Sequence, residues 1–280
     1  MKEKKIHSDI QPDGKVDDPT ASSRKQDHIS LAFESQVYKD LKDNRFYYEP
    51  ILAAHPSADT APEISFPGKS MKAPLWVSSM TGGTELANKI NTNLAIICKE
   101  YGLGMGLGSC RKLLTEDTYL KDFQMRPYMG EEVPFFANLG VAQVEVLLAE
   151  NKLQLIDELL KRLEVDGLVV HVNPLQEWLQ PEGDRFGLSP IKTVKRLLEK
   201  ASYPIVVKEV GQGMGPESLK ALMQLPIAAI EFAAMGGTNF SKLELYRGDT
   251  MRQEIFSNLA LVGHTAEDMV NYVNMIHQDL

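Results

Sequence analysis

Apolar positions change period several times along this chain, and the changes mark out elements. Leu168, Val169 and Val170 form a continuous apolar run of the kind a strand buried on both faces requires, and Pro174 stops it. Comparable short strands are expected at 75–79, 103–107, 134–138, 205–209 and 228–232. Helices are expected between them at 84–101, 141–163, 189–200 and 216–225, and a last one at 265–279. Such alternation predicts a parallel sheet, either a (β/α) barrel or a doubly wound sheet. Polar residues recur at the strand ends, at Ser79, Ser109, Asn138, His171 and Lys208. That recurrence favours a TIM (β/α)8-type barrel, because a doubly wound site gathers at one switch point.

The ends fit this rhythm less well. Residues 1–23 are polar, carry Pro12, Gly14 and Pro19, and are expected to form a flexible arm. From Arg24 onward Ile29, Phe33 and Val37 recur every four residues and predict one apolar helix face. Arg24 and Lys25 then stand at the helix start, where cations oppose the macrodipole unless an anion is bound there; two solvated surface charges is the plainer reading of the pattern. Residues 44–74 read as irregular cover with a short hairpin around Pro67-Gly68-Lys69, and 236–264 as a loop. Residues 24–280 are taken as one barrel domain. A barrel of this type needs eight strands and about 250 residues, whereas six strands are legible after residue 74. The expected barrel therefore lacks its last two βα units, or is closed by something other than its own C-terminus.

Composition narrows the function classes. With 43% hydrophobic and 24% charged residues in 280, the chain reads as an ordinary soluble protein. Its net charge of −8 argues against nucleic acid or an anionic membrane as partner, since both demand a basic face. Cys98 and Cys110 stand in unrelated contexts and suggest no disulfide framework or paired-cysteine metal site. With a polar N-terminus and no apolar run near membrane-spanning length, a cytoplasmic protein is expected.

Several strand ends carry groups that could do chemistry. His171, Asn173, Gln176 and Glu177 deliver an imidazole, two amides and a carboxylate to what should be one strand's C-terminal mouth. Met80-Thr81-Gly82-Gly83 and Gly236-Gly237-Thr238 offer a hydroxyl and open backbone suited to a phosphate or planar ligand, although a tight turn explains the first equally well. The glycines at 104, 106 and 108 resemble a dinucleotide fingerprint only by number. They lie within and just after a strand, so that reading is rejected, and Ser109 and Arg111 are taken as a hydroxyl and a cation facing the mouth. Lys208 follows the apolar run Ile205-Val206-Val207 and is placed at the mouth, and Glu177 could serve as a single Mg2+ carboxylate. Singly, each of these is more often structural than functional; their shared position at strand ends raises the odds.

The set of motifs resembles the type 2 isopentenyl diphosphate isomerases. Arg24-Lys25 with His28, Met80-Thr-Gly-Gly83, Gly108-Ser-x-Arg111, Ala137-Asn-Leu-Gly140, His171-Val-Asn-Pro-Leu-Gln-Glu177, Lys208-Glu-Val-Gly211 and Gly236-Gly-Thr238 follow the family order from about residue 24 to 247. The resemblance implies a (β/α)8 barrel that binds FMN and Mg2+, uses NADPH to reduce the flavin, and interconverts isopentenyl and dimethylallyl diphosphate in isoprenoid biosynthesis. It implies that Ser79, Met80, Thr81, Ser109, Asn138, Lys208 and Thr238 hold the flavin. Arg24, Lys25, Arg111 and His171 would meet the diphosphate with Asn173 beside them, Gln176 would contact the substrate, and Glu177 the metal. His171, Asn173 and Gln176 are the expected catalytic set, and a homo-oligomer is implied. The chain departs from the family pattern at Ala234, where a glycine is usual, and the family's seventh and eighth strands, which clasp the FMN phosphate, do not follow within these residues. Other readings are another FMN-dependent barrel oxidoreductase, which would not need the diphosphate-binding cations, and an inactive truncated remnant acting only as an interaction partner.

Overall fold

The computed structural model describes residues 21–43, 47–52, 54–55, 63–79 and 81–279. The chain divides into two compact units between residues 58 and 59. In the first, α1 spans Ala21–Ser30. The expected arm thus lies outside the described residues up to residue 20, and its last three residues belong to α1. The predicted helix was to run on through Phe33 and Val37, but regular helix ends at Ser30. Ile29, Phe33 and Val37 are 76%, 83% and 80% exposed, so among the described residues the apolar face gains no burial that would sustain a longer helix.

The second unit opens with the predicted hairpin, β1 (Ile64–Phe66) and β2 (Lys69–Met71), antiparallel with Phe66 opposite Lys69. Pro67 and Gly68 make the turn, with Gly68 at φ +81° as a type II turn requires. Then follow β3 (Trp76–Val77), α2 (Glu85–Tyr101), β4 (Gly104–Gly106), α3 (Arg126–Met129), β5 (Phe135–Gly140), α4 (Val141–Ala149), α5 (Gln154–Leu163) and β6 (Gly167–His171). The unit continues with α6 (Pro174–Leu179), α7 (Pro190–Leu198), β7 (Ile205–Lys208), α8 (Pro216–Met223), β8 (Ala229–Glu231), α9 (Phe240–Arg247), α10 (Thr250–Phe256) and α11 (Ala266–Asp279).

Two further expectations need correction. The predicted helix 141–163 is two helices, because Asn151 takes a left-handed conformation (φ 56°) and Lys152 N–H caps Leu147 O at 2.8 Å; both halves turn apolar faces to the core, which keeps the period running across the break. The predicted loop 236–264 holds α9 and α10. Each starts at a side-chain cap, Asn239 accepting from Lys242 N–H and Asp249 accepting from Arg252 N–H.

Strands β3 to β8 form one parallel sheet in strictly sequential order. A doubly wound sheet reverses its strand order at a switch point, and this one does not. Ser78, just after β3, donates a hydrogen bond to Glu231 at the end of β8. The outermost strands of a flat six-stranded sheet would lie roughly 24 Å apart at about 4.8 Å per strand, so the sheet is curled far enough for side chains at its first and last strand ends to reach each other. The two faces are sorted accordingly. Phe135, Ala137, Leu139, Leu168, Val170, Ile205 and Val207 point out beneath the helices with Val144, Leu159, Val194 and Leu197. Phe136, Val169 and Val206 point into the curl with Trp76 and with Phe66 of the hairpin. Burial stabilises each of these by about 1.5–3 kcal/mol. The glycines of β4 are explained here: a Cβ on Gly104 would stand 2.1 Å from the Trp76 ring, so the indole fills the place where β4 would otherwise put side chains.

Candidate functional site

Because side chains alternate along a strand, the inner positions two residues beyond Phe136, Val169, Val206 and Ala229 are Asn138, His171, Lys208 and Glu231. An apolar floor therefore carries a polar layer at the C-terminal mouth. The register sets Gly140 beside His171, His171 beside Lys208 and Lys208 beside Glu231. Asn138 Oδ1 lies 2.6 Å from His171 Nδ1, which places the imidazole proton on Nδ1 and leaves Nε2 as the acceptor. Burial, then the neighbouring Lys208, lowers the His171 pKa to about 4, so the ring is neutral at neutral pH. Burial also lowers the Lys208 pKa, opposed by Glu231 at 4.0 Å and by Glu209. Lys208 Nζ donates to Glu209 O at 2.7 Å. Glu209 in turn accepts N–H bonds from Gly211, Gln212 and Gly213 on one oxygen, fixing the loop after β7.

A second cluster sits at the start of α6. Asn173 is buried, and its Nδ2 donates at 3.0 Å to both Gln176 Oε1 and Glu177 Oε1. Its Oδ1 is buried without a hydrogen-bond partner. Glu177 Oε2 accepts from Asp184 N–H at 2.7 Å, and Gln176 Nε2 donates to the buried Glu244 at 3.3 Å. Asp184 grips Arg111 through both oxygens, at 2.7 and 3.3 Å, and accepts from Gln143 Nε2 at 2.7 Å; Gln143 Oε1 accepts Gly140 N–H. The structure thus links Arg111 to Glu177 through a residue that sequence reading missed.

Of the other expected site residues, Ser79 is buried and its Oγ has no partner. Thr81 is half-buried, and its backbone lies against Gly108 so closely that a Cβ there would meet it at 2.5 Å. Ser109 and Thr238 are exposed. Met80 lies outside the described residues. Arg24 and Lys25 are exposed residues of α1 in the first unit. Ser78, Gln143, Asp184 and Glu244 were not singled out beforehand; Glu231 was legible as an acid at the end of a strand, without a site role assigned to it.

For the expected flavin, the buried set of an orphaned Ser79 hydroxyl, the Asn138 amide and the Lys208 ammonium fits a polar planar ligand. A Cβ on Gly236 or Gly237 would meet nothing within 4 Å, so that backbone is open to approach. For Mg2+, no cluster of three or more His, Cys, Asp or Glu exists among the described residues. Glu177 and the unpartnered Asn173 Oδ1 fit a hard cation that takes few protein ligands. Burial pushes the Cys98 and Cys110 thiols up to about 11 and about 12, so both are inert.

The chain is similar to curated relatives named isopentenyl-diphosphate delta-isomerase. One, from Rickettsia peacockii (strain Rustic), is 33% identical over 267 residues, covering 92% of this chain and 75% of the relative. Another, from Rickettsia typhi (strain ATCC VR-144 / Wilmington), is 34% identical over 263 residues with the same coverage. No family model matches the chain. Among solved structures, an old yellow enzyme homologue from Zymomonas mobilis aligns at TM-score 0.42 and 12% identity over 61% of this chain and 72% of its own, too slight a likeness to assign a chemistry.

Proposed function

The chain belongs to the isopentenyl-diphosphate delta-isomerase family, and from that premise we propose that it interconverts isopentenyl and dimethylallyl diphosphate with reduced FMN and Mg2+, serving isoprenoid biosynthesis in the cytoplasm. The curled sheet is read as six strands of a (β/α)8-type barrel, supported by sequential strand order and by the Ser78–Glu231 contact. The observation that carries the functional reading is the α6 cluster, in which Asn173 ties Gln176 to Glu177 and keeps one buried carbonyl oxygen unpartnered beside them.

The reaction adds a proton to one carbon and removes one from another, with no net redox change. Ser79, Met80, Thr81, Ser109, Asn138, Lys208 and Thr238 would hold FMN, which when reduced by NADPH supplies the acid–base chemistry at the apolar end of the substrate. Arg111 and His171 would bind the diphosphate, the role that the family resemblance also gives to Arg24 and Lys25. An arriving anion would act on the His171 pKa in the direction opposite to burial and Lys208, while Nδ1 stays on Asn138. Gln176, held by Asn173 on one side and Glu244 on the other, presents a fixed amide to the substrate. Glu177 would hold Mg2+ as a single carboxylate, and the ion would supply charge neutralisation for the diphosphate. The protein contributes position and electrostatics. We also propose a homo-oligomer, with neither nucleic acid nor membrane as partner.

Conversion of isopentenyl diphosphate by the purified chain with FMN, NADPH and Mg2+, compared with Glu177→Gln, tests the assignment. The variant is expected to lose Mg2+ dependence and activity while still binding FMN. Unchanged activity would overturn the reading.

A further inference from the structure

Beyond the mouth, a cleft of about 500 Å3 opens between the 111–115 segment, α4 and the start of α5. Its apolar wall includes Leu114, Ala142, Val146, Leu147 and Leu155. Val146, on α4, is 53% exposed within this wall. Around the wall stand four cations, Arg111, Lys112, Lys152 and Arg185, against two carboxylates, Glu150 and Asp184, in a chain whose net charge is −8. Lys152 pairs with Glu150 at 2.8 Å and Arg111 with Asp184 at 2.7 Å. Lys112 and Arg185 have no carboxylate partner among the described residues. Lys112 Nζ lies over the Tyr119 ring, and Arg185 donates to Glu177 O.

We propose that this cleft is an accessory site for an anionic amphiphile, a prenyl diphosphate longer than the substrate, whose head meets Lys112 and Arg185 and whose tail covers the Val146 wall. The volume is that of a small-molecule pocket, and the pairing of an apolar wall with local positive charge in an acidic protein selects an anionic head over a neutral or cationic one. The choice of a prenyl tail rests on the proposed isomerase function. Occupancy reaches the other site through Arg185. A head group drawing Arg185 off the Glu177 carbonyl oxygen, 2.7 Å away, loosens the residue proposed to hold the metal, so the ligand inhibits.

Calorimetric titration of the 280-residue chain with farnesyl diphosphate tests this, with farnesol and inorganic pyrophosphate as partial probes. Saturable binding is expected, persisting under saturating isopentenyl diphosphate and strengthening by up to about fourfold per buried methylene across shorter and longer tails. Val146→Glu, at an exposed helix position, and Lys112→Glu should each weaken it by about tenfold or more. Absence of binding by the folded chain, complete displacement by isopentenyl diphosphate, or equal affinity in Val146→Glu would overturn the proposal. Binding is read without turnover, so an inactive chain with Val146-dependent binding would sink the isomerase reading and leave this site standing.

Discussion

Replacing Asp166 with alanine is expected to destabilise the second unit by about 3–5 kcal/mol. The residue stands just ahead of β6, the strand that delivers His171. One carboxylate oxygen accepts from Arg126 Nη2 at 3.0 Å and from Phe135 N–H at 2.8 Å, and the other lies 2.7 Å from Lys69 Nζ. Arg126 is only 3% exposed, over the Phe135 ring, and its remaining donors go to the carbonyls of Glu164, Gly130 and Val133. Those carbonyls solvate the guanidinium but do not neutralise it, and Glu131, at 3.9 Å and 74% exposed, does so weakly. Truncating Asp166 therefore leaves a buried charge uncompensated and one strand N–H without its acceptor, losses that overlap and do not simply add. Asp166→Asn keeps an acceptor but not the charge, and about half the loss is expected; Lys69→Ala, at the half-buried end of the network, should cost about 1 kcal/mol. Urea unfolding followed by circular dichroism, with midpoints compared at common slope, measures all three. A loss below about 1 kcal/mol for Asp166→Ala would show that the carbonyls alone satisfy Arg126 and would refute the reasoning.

Two further predictions concern the mouth. His171 titrates near 4 when folded against about 6.5 unfolded, so the unfolded chain binds more protons in that window. Stability should fall as pH drops from about 6.5 towards 4, and His171→Gln should flatten that part of the profile; an unchanged slope would mean the ring is not held neutral. Gly108→Ala puts a Cβ 2.5 Å from the Thr81 carbonyl oxygen, a collision relieved only by moving the strand ends. FMN affinity, read by flavin fluorescence quenching, should fall by about tenfold or more with helix content retained, and wild-type affinity would show that this backbone does not shape the flavin site.

Most of the sheet could be read in advance because its central strands are apolar on both faces and two of them stop at a polar residue, as at Val170-His171 and Val207-Lys208. The helix capped at Thr84 was equally legible, its hydroxyl accepting Ala87 N–H at 3.1 Å. The 141–163 break was hidden because apolar spacing survives a change of helix direction when both halves face one core. The α9 and α10 helices were hidden because their stability rests on caps and on a few contacts such as Leu179 with Leu245, not on a long apolar stripe. Within the site, the α6 residues were marked by their own dense polar run. Asp184 and Glu244 were not, since each acts on a residue far along the chain and nothing local sets them apart from a solvated surface acid.

The Ser78–Glu231 bond joins positions 153 residues apart. Each strand pairing in the sheet spans only one βα unit, so the pairings can form stepwise from β3 onward. The bond at the rim must wait for all of them and carries the entropy of the longest closure in the second unit's sheet. The rim is therefore the last part of the sheet to take shape as the chain emerges during synthesis. A ligand that touches both walls recognises no chain in which residue 231 has yet to appear, and its uptake becomes a clock for the completion of folding.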